Sequence, residues 1–436
     1  MNTDQLYDIF LKCNGVSTDT RSIKKDSLFF SLKGENFDGN DYALEAINKG
    51  AKYALVDNNN LENRNFIKVK DVLTSLQFLS AYHRTKLKNT TIIALTGSNG
   101  KTTTKELIHS VLIKKYKTTS TTGNLNNHIG VPLSILKIDK DSDFAVIEMG
   151  ANHIGEIAFL TDLVKPDYGY ITNFGKAHLE GFGSIKGVIK GKTELYNWLI
   201  KNNKPILINS DDEIQNKFIN SNSIFFGKKI NSKFVFKELN EDYVSVKYKE
   251  HRINSKLIGN YNFYNIIAAI SFGLYFKIDI KLIKNAIENY TPKNNRSEIL
   301  ILKDKKIILD AYNANPTSMR LAIDSFFKLS GSKALILGDM LELGNYSNYE
   351  HLQIINHLEK ENCGKTYLVG KEFYKIKKNS NSISFYKSKR ELISEVSKNK
   401  ILEKNILIKG SRAMKLEELL NILWIYSFSF NSVVNQ

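Results

Sequence analysis

The chain has 436 residues, 42% hydrophobic and 25% charged, with 62 Lys+Arg against 45 Asp+Glu for a formal charge of +17. That length exceeds a single core and calls for two or three domains, and the composition excludes a disordered or disulfide-stapled chain. The lysines are dispersed, and no compact motif interleaves them with aromatic residues, so the charge suits genome composition and anionic small substrates better than nucleic acid.

Residues 27–32 and 53–56 read as strands, and 42–49 and 73–86 have helical spacing. Together they predict a small α/β unit over 1–89. A second unit, 90–292, opens with a strand at 91–95, a Gly-rich turn and a helix from Lys101 to about Lys115. Strand candidates at 144–147, 168–172, 205–208 and 223–226 alternate with helical segments, which predicts a parallel doubly wound sheet. Residues 233–258 turn β-rich and antiparallel in character, ahead of an apolar helix at 264–275. Residues 292–296 read as a linker. The alternation restarts over 293–436, with strands at 306–309, 334–337, 366–369, 382–385 and 405–408. This third unit is Rossmann-like but lacks the G-x-G-x-x-G fingerprint. The fold class expected is therefore α/β in three domains, the central one a P-loop-like parallel sheet with a β-rich extension.

Only Cys13 and Cys363 occur, which suits a reducing compartment. The opening Met-Asn-Thr-Asp-Gln has no basic flank leading into an apolar run, and the apolar stretch 419–430 is too short to span a bilayer. A final amphipathic helix, a cytoplasmic location, no membrane insertion and a monomer are the expectations.

The first chemical motif is Thr96-Gly97-Ser98-Asn99-Gly100-Lys101-Thr102-Thr103, between a strand and a helix. Glycines let backbone N–H groups curl round phosphate oxygens, and the helix N-terminus adds partial positive charge. Lys101 can reach the β- and γ-phosphates, and the Thr102 hydroxyl can ligate Mg²⁺. Glycines at 97 and 100 are more closely spaced than in the common G-x-x-x-x-G-K-[ST] loop. Glu148 ends an apolar strand, the edge of an open α/β sheet where ligands gather, which favours a metal role beside the loop. The Asn side chains of 123–132 suit a sugar or amide ligand.

The tight loop Thr-Gly-Ser-Asn-Gly-Lys-Thr-Thr-Thr resembles the ATP loop of the Mur ligase family, whose members build the peptidoglycan precursor peptide; folylpolyglutamate synthetase has a similar loop. The resemblance covers almost the whole chain, the tail from about Trp424 excepted. It implies that Gly97 to Thr103, Asn262, Asn265, Arg296 and Asp310 serve ATP, and that Asn124, Asn126 and Asn127 bind the muramoyl peptide. Thr20 and Arg21 resemble the uridine-nucleotide-binding domain. Glu148 and His178 resemble metal ligands beside Thr102, with two Mg²⁺ ions expected. Lys192, in Gly191-Lys192-Thr193-Glu194-Leu195, resembles the lysine that becomes a carbamate and then holds a Mg²⁺, although Thr193 stands where glycine is common. Tyr261 stands where histidine is usual. The segments 310–319, 337–344 and 409–412 resemble the D-alanyl-D-alanine-adding branch, with Asn313 and Asn315 among its substrate contacts, and no Asp-Asn-Pro-Arg signature is present. The loops 313–318 and 339–342 follow the strands at 306–309 and 334–337, so they are expected at the ligand-bearing sheet edge, helping to build the dipeptide pocket. The implied reaction joins D-alanyl-D-alanine to UDP-N-acetylmuramoyl tripeptide through an acyl phosphate, with Lys101, His178 and Lys192 as catalytic groups. The rival readings are another amino-acid-adding member of the family and, more distantly, a P-loop ATPase acting on nucleic acid.

Overall fold

A computed structural model describes residues 2–239, 241–293, 295–361 and 364–428; Cys363 and the end of the 419–430 segment lie outside them. The N-terminal sheet is parallel, in the order Val16–Ser17, Leu28–Phe30, Tyr53–Val56, Phe66–Lys68. Its strands are apolar on both faces, as a parallel sheet sandwiched between helices requires. Leu28, Phe30 and Leu55 pack with Leu6, Tyr7 and Phe10 of helix Thr3–Phe10 and with Leu76 and Leu79 of helix Val72–Lys86. Phe29, Ala54 and Val56 point the other way, onto Ala43 and Ala46.

The central sheet has seven parallel strands in the order Phe234–Val235, Ile224–Gly227, Ile206–Asn209, Tyr168–Ile171, Thr91–Thr96, Phe144–Glu148, Thr118–Ser120. Ile92 and Ala94 enter one core, and Ile93 and Leu95 the other. Strand Thr91–Thr96 lies between Tyr168–Ile171 and Phe144–Glu148. The phosphate loop therefore emerges flanked by the ends of the strands that lead to His178 and carry Glu148. Order, rather than sequence proximity, brings these three segments together.

The C-terminal sheet runs Glu298–Leu302, Lys305–Asp310, Asn405–Lys409, Lys333–Gly338, Lys365–Val369, Ile383–Tyr386. All neighbours are parallel except the first pair. A buried cluster runs from Ile147, Leu179 and Phe182 in the central domain to Met340, Leu343 and Ile354 in this one.

Every strand expected from the sequence is present, within one to two residues at each end. Four departures have physical causes. The 42–49 helix begins with a 3₁₀ turn, Gly39–Tyr42, capped by Asp38, and is α-helical over Ala43–Asn48. The helix from Lys101 ends at Leu112, earlier than expected. Within 233–258, Phe234–Val235 extends the central parallel sheet, while Lys237–Leu239, Ser245–Tyr248 and His251–Asn254 form the antiparallel part. Glu298–Leu302 is not among the expected strands, and five short strands at Val16–Ser17, Lys33–Gly34, Phe37–Asp38, Phe66–Lys68 and Thr118–Ser120, of two or three residues each, are too short to register as a pattern. Among the described residues no helix is long and apolar enough to cross a membrane.

Candidate active site

A cleft of about 1700 Å³ lies between the central and C-terminal domains. Its wall includes the phosphate loop from Ser98 to Thr103, Asn124, Asn126, Asn127, Glu148, His178, Asn262, Asn265, Arg296, Asp310, Asn313 and Asn315. Three groups of expected residues are not on it. Gly97 and Lys192 lie behind the wall, and Thr20 and Arg21 sit in the N-terminal domain, which contributes no described residue to this cleft. Arg21 folds back to bond the Asp19 carboxylate at 2.7 Å, and that bond holds the Asp19 carboxyl down at about 2.

The loop's glycines are required by geometry. Gly97 has φ 142° and Gly100 φ 78°, a region that L side chains rarely occupy. A Cβ at Gly97 would stand 1.9 Å from Thr172 Oγ1, and one at Gly100 would stand 2.5 Å from Asn265 Oδ1. The loop is stitched to the neighbouring strand end. Thr172 Oγ1 and Asn173 Nδ2 donate to Asn99 O at 2.6 and 2.9 Å, and Ser98 Oγ donates to Gly175 O at 2.8 Å. Thr172 and Asn173 are thus parts of the site that no loop motif reveals.

Lys101 Nζ donates to the Gly97 carbonyl at 2.7 Å, curling over the loop. Burial pulls its pKa down, the nearby Glu148 charge opposes this, and Arg296 adds to the lowering. Thr102 is buried, and its hydroxyl donates to Glu148 Oε1 at 3.3 Å. Asn126 Nδ2 donates to the same oxygen at 2.7 Å. Glu148 Oε2 is buried, and no donor among the described residues reaches it. An unbonded buried carboxylate oxygen is costly unless something else satisfies it. Beside a threonine hydroxyl, it is the donor set a hard divalent cation takes. Lys105, one turn along the helix, is also buried and donates to Thr121 O at 2.8 Å. Its charge lies near Glu148, a proximity the sequence does not signal.

His178 sits at φ 53° between strand Tyr168–Ile171 and the short helix Leu179–Phe182. Its Nδ1 pairs with the Glu342 carboxylate of the C-terminal domain, and that pairing lowers the Glu342 pKa. With Nδ1 turned to the Glu342 carboxylate, Nε2 is the ring nitrogen left for a further partner.

Lys192, on helix Ile185–Lys201, is fully buried. Its Nζ donates to Ala151 O at 3.0 Å and stands 5.1 Å from the Phe182 ring centre. No carboxylate among the described residues pairs with it within 4 Å. Burial pulls its pKa well down, with the Lys101 charge adding to the effect. This amine is poised to be neutral.

At the start of helix Asn262–Tyr275, Asn262 and Asn265 are buried and committed to structure. Asn265 accepts from Thr104 Oγ1 at 3.0 Å and donates to Asn262 Oδ1 at 2.8 Å, shaping the floor under Gly100. The Arg296 guanidinium lies 3.5 Å above the Tyr312 ring. Asp310 accepts from Ser297 N at 3.1 Å and pairs with Lys409. Tyr261 bonds Ser297 Oγ at 2.9 Å, so at the position of the usual histidine it ties the helix start to the residue after Arg296.

The chain matches the Mur ligase middle domain over residues 95–273, the Mur ligase glutamate ligase domain over 295–412, and the Mur ligase family catalytic domain over 12–84. It is 35% identical, over 94% of its length and 93% of the relative's, to the UDP-N-acetylmuramoyl-tripeptide--D-alanyl-D-alanine ligase of Bacillus subtilis. The chain belongs to the Mur ligase family. Its fold is shared with the crystal structure of MurF from Acinetobacter baumannii, at TM-score 0.86 and 27% identity, covering 97% of this chain and 98% of that one. The MurF ligase of Thermotoga maritima, solved in complex with ADP, matches at TM-score 0.82 and 26% identity, covering 96% and 98%.

In this Mur ligase the C-terminal wall departs from expectation in one respect. Of the loop at 339–342, Leu341 and Glu342 line the cleft but Asp339 does not. Its carboxylate accepts from Glu372 N and Phe373 N, both at 3.0 Å, and so anchors the start of helix Lys371–Lys375.

Proposed function

We propose that this chain joins D-alanyl-D-alanine to UDP-N-acetylmuramoyl tripeptide at the expense of ATP. The observation that carries the reading is the cleft in which Lys101, Thr102 and the open Glu148 oxygen face the 313–318 and 341–342 segments of the C-terminal domain. The first set suits phosphoryl transfer, and the second supplies neutral Asn, Thr and Ser groups suited to an uncharged peptide amide. The relatives that match over nearly the full chain bear the name of this activity.

In the reaction, a peptide carboxylate oxygen attacks the γ-phosphorus of ATP, the bond to the bridging oxygen breaks, and ADP leaves. The acyl phosphate is then attacked by the amine of D-alanyl-D-alanine. Inorganic phosphate departs as the amide forms, and the amine gives up a proton. The loop N–H groups and Lys101 bind and orient the phosphates, and Lys101 stabilises charge as the γ-phosphoryl group moves. Thr102 and Glu148 would hold one Mg²⁺, and His178 through Nε2, with a carbamate on Lys192, would hold a second. Bound there, Mg²⁺ would supply positive charge against the phosphate oxygens. The carbamate forms when the neutral Lys192 amine adds to CO₂ and releases one proton. The sealed, unpaired amine supports this, since only the unprotonated form has the lone pair required. Asn124, Asn126 and Asn127 are assigned to the muramoyl peptide, Thr20 and Arg21 to the uridine nucleotide, and Arg296 and Asp310 to the nucleoside of ATP. We place the enzyme in the cytoplasm as a monomer.

The test is phosphate release in the presence of ATP and UDP-muramoyl tripeptide with D-alanyl-D-alanine, D-alanine, diaminopimelate or nucleic acid added separately. Stimulation by the dipeptide is expected. Turnover of diaminopimelate on a dipeptide precursor, with none of D-alanyl-D-alanine on the tripeptide, would overturn the acceptor and leave the ligase chemistry standing.

A further inference from the structure

The segment from Asn173 to Gly183 is gripped from the C-terminal domain at several points. Thr317 Oγ1 accepts from Lys176 N at 3.0 Å, Glu342 O accepts from Glu180 N at 3.1 Å, and Tyr346 Oη donates to Gly183 O at 3.2 Å. An ion pair joins Lys176 Nζ to Glu350 Oε1 at 2.6 Å. Among the described residues it is the one ion pair joining a lysine or arginine of the central domain to a carboxylate of the C-terminal domain.

The two partners differ in exposure. The Glu350 side chain is 5% exposed and the Lys176 side chain 44%. Among the described residues no other side-chain hydrogen bond to the Glu350 carboxylate is made. A carboxylate this buried, left without its cation, carries a desolvation penalty that docking of Lys176 removes. Glu350 lies in the first turn of helix Ser347–Lys360. The adjacent His351 is buried, donates through Nδ1 to Ser347 O at 2.7 Å and accepts through Nε2 from Met340 N at 3.0 Å. That bonding fixes it as neutral and ties the helix start to the loop bearing Glu342, the partner of His178. One rigid unit thus presents Glu350 to Lys176 and Glu342 to His178, two residues apart on the same central-domain segment.

We infer that the Lys176–Glu350 ion pair is an interdomain latch that positions the 173–178 segment, and through it His178 and the wall of the acceptor pocket, when the C-terminal domain is docked. Lys176 lines the cleft and Glu350 does not, and both are assigned as positioning residues that act through the segment they hold. The inference rests on the proposed ligase reading for its consequence, the alignment of the acceptor amine, but the docking itself does not.

The test uses the full chain carrying K176M, E350Q, both together, or K176R. Turnover with ATP, UDP-muramoyl tripeptide and D-alanyl-D-alanine is measured beside affinity for a non-hydrolysable ATP analogue. Spin labels on exposed residues of the two domains report their separation in the absence of ligands. Either single variant is expected to lower kcat and raise the KM for D-alanyl-D-alanine, by about ten-fold in kcat/KM, with analogue affinity unchanged. The double variant should be no worse than the worse single one, K176R should recover most of the activity, and the label distances should broaden in K176M and E350Q. Raising KCl should slow the wild type and leave K176M unaffected. Multiplicative losses in the double variant, or unchanged kinetics and distances in both single ones, would overturn the latch. Absence of dipeptide transfer in the wild type would instead reject the ligase assignment, while the distance measurement still decides the latch.

Discussion

The two walls of the cleft are both ends of parallel sheets, yet they hold their polar groups in different ways. On the central wall, Lys101, Thr102 and Glu148 are fixed by partners of their own domain: the Gly97 carbonyl, one another, and the Asn126 amide. On the C-terminal wall, Asn315, Thr317 and Glu342, together with Glu350 outside the cleft lining, spend side-chain atoms on partners across the gap. Asn99, Lys176 and His178 of the central wall bond across the gap, but the trio Lys101, Thr102 and Glu148 is held whether or not the domains meet. The C-terminal wall is complete only when they do. In the proposed reaction, groups that stabilise moving charge must not reorganise, whereas a wall that admits and releases a third substrate must be able to part. Separate domains allow both.

Substitutions should divide along this line. Lys101→Ala, in the preorganised trio, is expected to cost roughly two or more orders of magnitude in kcat, the scale for losing a fixed electrostatic contact. Near-normal turnover at saturating ATP would break the comparison at its firmest point. Lys192→Ala should also be inactive or nearly so, and short carboxylic acids should partly restore turnover by supplying the missing anionic oxygens. Full activity in the untreated variant would reduce Lys192 to a core residue. Its thermal transition should be recorded alongside, since the substitution also empties a buried volume.

Asn315→Ala tests the other wall. Asn315 caps helix Pro316–Phe327 through Ser318 N at 2.9 Å and also donates to Asn99 Oδ1 at 2.7 Å. Loss of the cap should destabilise the C-terminal domain by about 1 kcal/mol, seen as a lower denaturant midpoint. Turnover should fall several-fold with little change in ATP-analogue affinity. A loss as large as that of Lys101→Ala would mean that Asn315 handles substrate directly. The smallest effect is expected at Arg21, whose side chain is 87% exposed. Arg21→Ala should raise the KM for the UDP-linked substrate modestly and leave kcat and the thermal transition alone. No change in that KM would remove Arg21 from the nucleotide site.

How much was legible in the chain differs between these regions. The phosphate loop was readable because its chemistry is local: glycines at 97 and 100, Lys101 and Thr102 lie within six residues, between a strand and a helix. The alternation of strands and helices was equally plain, because buried parallel strands are short apolar runs. Glu148 and His178 could be singled out as residues at or beyond strand ends, yet neither the bond of Thr102 to Glu148 nor the pairing of His178 with Glu342 follows from spacing. Asp339 shows the converse, since its place in a strand-end loop suggested the pocket while its carboxylate anchors a helix instead.

The amino-acid sequence by itself thus determined the α/β class, the strand sites, the phosphate loop and, through resemblance, the family, because each depends on residues close together in the chain. Tertiary structure alone decided which strand lies between which, and so placed Glu148 and the 172–178 segment on either side of the loop. It also decided that Lys192 is sealed without a counterion, and that Lys176 meets Glu350 across 174 positions of chain. Such pairings follow from sheet order and domain docking, which sum the packing of many residues and leave no local pattern at the residues they bring together.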